Sequence, residues 1–121
     1  MTVPGVPDWP DWLTVAEYKA WARIDPADTA DDAAIAECVE AAQEAVEIRA
    51  PRAFALDESG DPLPVPSSVH QAGLLLSNRL MSRRNSPDGV VGVSDMGTAR
   101  IMSYDADITG LLGPWSAVVL A

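Results

Sequence analysis

The chain has 121 residues, 18 acidic and 8 basic, for a formal net charge of −10 and a pI near 4.2. With 48% hydrophobic and 21% charged residues it reads as one ordinary globular domain rather than a disordered segment. That balance argues against a dedicated nucleic-acid-binding domain, which presents a basic face, and against attraction to an anionic membrane. A single cysteine, Cys38, excludes an internal disulfide and a multi-cysteine zinc site, and a single histidine, His70, excludes His-pair metal motifs. No apolar run reaches the roughly 18 residues needed to cross a bilayer, and Met1–Gly5 lacks the basic and apolar regions of a signal peptide. The expectation is a soluble protein folded in a reducing cytoplasm. The charge is uneven: residues 1–61 hold 14 acidic and 4 basic side chains, residues 62–121 hold 4 of each.

Residues 1–13 read as an arm. Pro4, Pro7 and Pro10 recur every third position, which suits an extended polyproline-like path, and Trp9 and Trp12 need a surface to dock on. That surface is either the chain's own core or a neighbouring subunit. A first helix starts at Thr14, where Thr14 and Glu17 form a capping-box pattern with Leu13 as staple. Val15, Tyr18, Trp21 and Ala22 share one face, and Pro26 ends the segment. The run from Asp25 to Asp32 is a loop feeding a second helix, with Asp28 or Thr29 as N-cap. That helix runs to about Arg49, with Ile35, Cys38, Val39, Ala42, Ala45 and Val46 inward and Glu37, Glu40, Glu44 and Glu47 opposite.

Residues 52–66, with Gly60, Pro62, Pro64 and Pro66, form the longest irregular stretch and a place for mobility or partner contact. A third helix begins after Pro66, capped by Ser67 or Ser68. Its broad apolar surface, Val69, Ala72, Gly73, Leu76 and Leu80 widened by Leu74, Leu75 and Met81, makes it central. It closes with Arg79, Arg83 and Arg84. The periodicity then changes, and residues 90–103 read as a β-hairpin around Asp95–Thr98. Asp105 caps a short helix from Ala106 to Leu112 that stops at Gly113-Pro114, and Trp115–Ala121 form an apolar, strand-like tail without charge. The fold class expected is therefore mainly α: three to four helices in residues 14–121, with a hairpin and an extended C-terminal tail.

Chemistry is thinly represented. Cys38 and His70 are the residue types of a thiol–imidazole pair, but Cys38 sits on an apolar stripe, where a cysteine is an inert small hydrophobe. Asp25, Asp28, Asp31 and Asp32 suggest calcium, yet counting from Asp25 places Ala30 where an EF-hand needs glycine and Ala36 where it needs glutamate. Helix capping explains these aspartates without a metal, and no phosphate-cradling glycine loop is present. Arg79, Arg83 and Arg84 either complement the helix dipole and pair with glutamates of the second helix, or contact an acidic neighbour or DNA phosphate. Neither catalytic nor cofactor-binding residues are assigned. The features that stand out are interaction surfaces, and they suggest obligate assembly with exchanged arms or added strands.

The order of these features resembles a known family. Leu13-Thr14-Val15-Ala16-Glu17-Tyr18-Lys19-Ala20-Trp21 is followed by Asp31-Asp32-Ala33-Ala34-Ile35, then by Val65-Pro66-Ser67-Ser68-Val69 and a Leu-rich helix. The most specific parts are Arg84-Asn85-Ser86-Pro87-Asp88-Gly89-Val90 and Asp107-Ile108 with Leu111-Leu112-Gly113-Pro114. Over residues 12–121 the chain resembles the head–tail connector (adaptor) proteins of long-tailed double-stranded DNA phages, in the form found in phages of actinobacteria. The resemblance implies a non-enzymatic virion protein of the neck, assembled in the host cytoplasm. On that resemblance it would form a dodecameric ring of like subunits under the portal protein and contact a tail-side stopper protein. Genomic DNA would pass through the lumen without specific binding, and no membrane would be involved. By position, the hairpin (Val91, Val93, Arg100, Met102) and the tail (Trp115, Val118, Val119, Leu120) supply inter-ring contacts. Trp9, Trp12 and the three arginines are further candidates for partner contact. The arm departs from the shorter starts of that family. Other readings are a head-completion stopper or another neck ring, a cytoplasmic helical regulator binding one protein, and, weakest, an enzyme.

Overall fold

Helix α3 (Ser67–Arg84) is the axis around which the other elements pack, in a computed structural model that describes residues 11–84 and 105–116. Eight of its residues are buried: Val69, Ala72, Gly73, Leu74, Leu76, Ser77, Leu80 and Met81. A helix apolar over so much of its circumference needs cover on several sides. It receives this from α1 (Val15–Trp21), α2 (Asp32–Arg49) and α4 (Ala106–Leu112). Ser77, wholly buried, satisfies its hydroxyl by donating to Gly73 O at 2.8 Å on its own helix.

The capping box forms as its spacing predicts. Glu17 N donates to Thr14 Oγ1 at 3.1 Å, and Thr14 N donates to Glu17 Oε1 at 2.9 Å. Seven residues are too few to be helical alone, so α1 depends on tertiary anchors. Leu13 is 1% exposed, and the buried Tyr18 donates its hydroxyl to Asn78 Oδ1 on α3 at 3.0 Å. The helix ends in a Schellman motif: Ile24 N donates to Lys19 O at 2.8 Å and Arg23 N to Ala20 O at 3.3 Å. Arg23 therefore takes the left-handed φ of 61° that usually selects glycine.

α2 starts later than expected. Its N-cap is Asp31, whose side chain makes no capping bond, while Asp28 Oδ1 accepts from Ala30 N at 3.2 Å in a local turn. The aspartates compete for backbone donors within the loop, which delays the helix. Its inward face is as expected, with Ile35, Cys38, Val39, Ala42 and Val46 buried, and Ala45 partly so. The α2–α3 contact is the main helix pairing of the domain.

The stretch over 52–66 is tied rather than loose. After a 3₁₀ turn at Pro51–Ala53, an antiparallel bridge pairs Leu56 with Pro62, and Leu63 N donates to Ala55 O at 2.9 Å. Asp57 Oδ1 accepts from Ser59 N and Asp61 N, and Gly60 turns the chain with φ 86°. α3 begins at Ser67 itself, with Pro66 O accepting from Val69 N and His70 N, so neither serine stands ahead of the helix as its cap.

The mainly helical class stands, and among the described residues no strand is present beyond the isolated bridge. The hairpin expected at 90–103, Trp9 and the tail beyond Ser116 lie outside the described residues. Trp115 corrects the expected tail boundary: it ends a 3₁₀ turn, Gly113–Trp115, and is partly buried against the core.

Candidate functional site

The surface with the richest chemistry lies at the two ends of α3. At its carboxyl end, two of the three arginines are internal clamps. Arg84 Nη1 is 3.1 Å from Glu37 Oε2 on α2, a pair that dipole and second-helix arguments anticipate. Arg79 does not reach α2: its Nε donates to Asp105 Oδ2 at 2.8 Å. Asp105 is also the N-cap of α4, its Oδ1 accepting from Asp107 N at 3.0 Å and Ile108 N at 3.2 Å. Its side chain is only 12% exposed. Burial pushes this carboxyl's pKa up, but the hydrogen bond from Arg79, the Ile108 amide, the Arg79 charge and the Asp107 amide outweigh it. The pKa is held below its ordinary 3.8. Arg83 is exposed and makes no ion pair among the described residues.

These clamps fix where the chain leaves and returns. It departs at Arg84 and re-enters at Asp105, which is held by Arg79, five residues back along α3 and so roughly 7.5 Å along the axis. Residues 85–104, which contain Val91, Val93, Arg100 and Met102, connect two points on the same end of the domain.

At the amino end, aromatic surfaces do the work. Trp12 packs on the chain's own core, one of the two destinations the sequence left open. Its ring tilts against Phe54 with centroids 5.6 Å apart, and it lies so close to Gly73 that a Cβ there would fall 2.9 Å from Trp12 Cζ3. The Trp12 Nε1 is buried without a hydrogen-bond partner among the described residues. Trp115 Nε1 donates to Ser68 Oγ at 3.2 Å. Beside Trp12 an open cleft of about 660 Å³ is lined in part by Trp12, Glu17, Leu63, Val65, His70 and Gln71. Two of these lining residues meet, His70 Nε2 lying 3.2 Å from Glu17 Oε2.

Cys38 and His70 do not form a couple. Cys38 is fully buried, and burial pushes its thiol up, against the opposing Arg84 charge; Glu37 adds to the rise. His70 stands in the first turn of α3 and pairs with Glu17. No group of three or more His, Cys, Asp or Glu is placed to hold a metal among the described residues.

Lys19 is the residue that sequence reading missed. It is 5% exposed and donates to Pro26 O at 3.2 Å, Asp28 O at 2.6 Å and Asp32 Oδ1 at 2.9 Å. A signal existed: Lys19 lies four residues after Val15 and three before Ala22, on the face that turns inward.

No family model matches the chain, and no curated protein or solved structure matches it significantly.

Proposed function

We propose that the chain is a structural head-to-tail adaptor of a phage neck, non-enzymatic, assembling as a ring between the portal and the tail-side stopper. The observation that carries this reading is the closure of the helical core by its own residues, with the excursion 85–104 clamped at both ends by Arg84–Glu37 and Arg79–Asp105. With the described helices packed into one core, this reading assigns the contacts with other chains to that segment, with the expected hairpin at 90–103, and to the apolar residues 117–121. Arg79, Arg84, Trp12 and Trp115 are then scaffold, and the partner contacts fall to Val91, Val93, Arg100, Met102, Val118, Val119 and Leu120. The net charge of −10, repeated around a ring, keeps passing DNA from adhering, since each added cation–phosphate contact would add affinity.

The test is mass measurement by native mass spectrometry and sedimentation, alone and with the portal protein of the same phage. A ring or a portal complex is expected. Deleting 117–121 should leave the helical signature intact and weaken portal association. Deletion starting at Trp115 would confuse the two effects, because that indole is anchored on Ser68. A protein that stays monomeric and ignores the portal would overturn the proposal.

A further inference from the structure

The acidic loop between α1 and α2 has the carboxylate density of a cation loop without its spacing, and its geometry supplies a cation from inside the chain. Asp25, Asp28, Asp31 and Asp32 fall within eight residues, and their mutual repulsion favours an open chain. Three acceptors instead converge on one ammonium: the carbonyls of Pro26 and Asp28 and the carboxylate of Asp32 meet Lys19 Nζ at 3.2, 2.6 and 2.9 Å. An ammonium has three N–H donors and no acceptor, so all three are matched. The Lys19 side chain is 6% exposed, which makes these charge-assisted bonds stronger than their surface counterparts. The carboxylates of Asp25 and Asp28 are turned to Ala27 N and Ala30 N, away from the ammonium's coordination.

We propose that Lys19 is a tethered substitute for a metal ion. It holds the α1–α2 loop and the start of α2 in one state, and this state does not depend on divalent cations. Two neighbouring features depend on it. α2 begins without a side-chain cap from Asp31, so Asp32, held by Lys19, fixes its first turn. The left-handed Arg23 just after α1 directs the chain back over Lys19, and Ile24 N donates to Lys19 O at 2.8 Å in the same motif. The site is specific for a primary ammonium, because it offers three convergent oxygens and only one carboxylate, too little charge to favour a divalent ion. This inference is independent of the adaptor reading.

The experiment is amide hydrogen exchange over residues 24–35, with thermal melting, on three forms of the full chain. In the unsubstituted protein, calcium and chelator should leave both readouts unchanged. Lys19→Met keeps the aliphatic stem and removes the ammonium. Its loop amides should exchange roughly tenfold faster or more while those of α3 stay slow. Lys19→Ala should show the same opening and recover protection with n-butylammonium, with no recovery from tetramethylammonium, which has no N–H to donate. Full protection in Lys19→Met, failure of butylammonium to restore Lys19→Ala, or stabilisation of the parent by calcium would each overturn the proposal. If Lys19→Ala does not fold, Asp32→Asn replaces it, and unaltered exchange in that variant counts against the proposal.

Discussion

The two ends of α3 are held by different physics. At the amino end, Trp12 covers Gly73 and Trp115 donates to Ser68, so the two indoles hold it by uncharged contacts, with the Glu17–His70 pair beside them. At the carboxyl end, Arg79 and Arg84 bind Asp105 and Glu37, so the contacts are narrow and charged. The charged end is itself graded, since Asp105 is nearly enclosed while Glu37 and Arg84 are open to water. Aromatic contact fastens the entering chain, and the Asp105 clamp fastens the returning one.

The comparison can be broken at either end. The largest effect is expected from Trp12→Ala, which uncovers Gly73 and removes the Phe54 contact; a loss of about 3 kcal/mol should appear in urea unfolding. Asp105→Ala comes next, at about 2 kcal/mol, because it removes both the α4 cap and the partner of Arg79. The same residue makes the charged end acid-sensitive. Its folded pKa lies below the unfolded 3.8, so its contribution is complete well above that pH and is lost as pH falls through the lower folded value. Denaturant midpoints measured from pH 6 down to pH 2 should drop, and Asp105→Asn should flatten part of that drop. Gly73→Ala should cost about 1 kcal/mol, the clash with Trp12 exceeding the gain in helix propensity, and should shift tryptophan fluorescence. Arg84→Ala sharpens the contrast from below: an exposed pair should yield under about 0.5 kcal/mol, vanishing in high salt.

What the sequence discloses follows range. The Thr14–Glu17 box and the Asp105 cap are decided within three residues, and both form where their spacing places them. The breadth of the α3 stripe likewise foretells its central position, because burial on several sides demands apolar residues all round. The start of α2 is misplaced because Asp25 and Asp28 bond Ala27 N and Ala30 N locally, an alternative that composition alone does not rank against capping. Partners far apart in the chain stay hidden. Nothing near Arg79 announces Asp105, and nothing near Trp12 announces that Gly73 is its seat rather than a flaw in α3. Lys19 goes unremarked for a simpler reason: lysine is by habit a surface residue, and its burial requires a cage assembled from the following loop.

The enclosed Cys38 provides a built-in reporter. It is the chain's sole thiol and has no exposed area, so a thiol-specific reagent meets it only when the helical core opens around it. Labelling kinetics in undisturbed protein therefore count spontaneous openings of that core, without any engineered probe. Comparing that clock in the protein alone and in a mixture with a candidate portal protein would show whether the interior is clamped by the encounter or breathes as before.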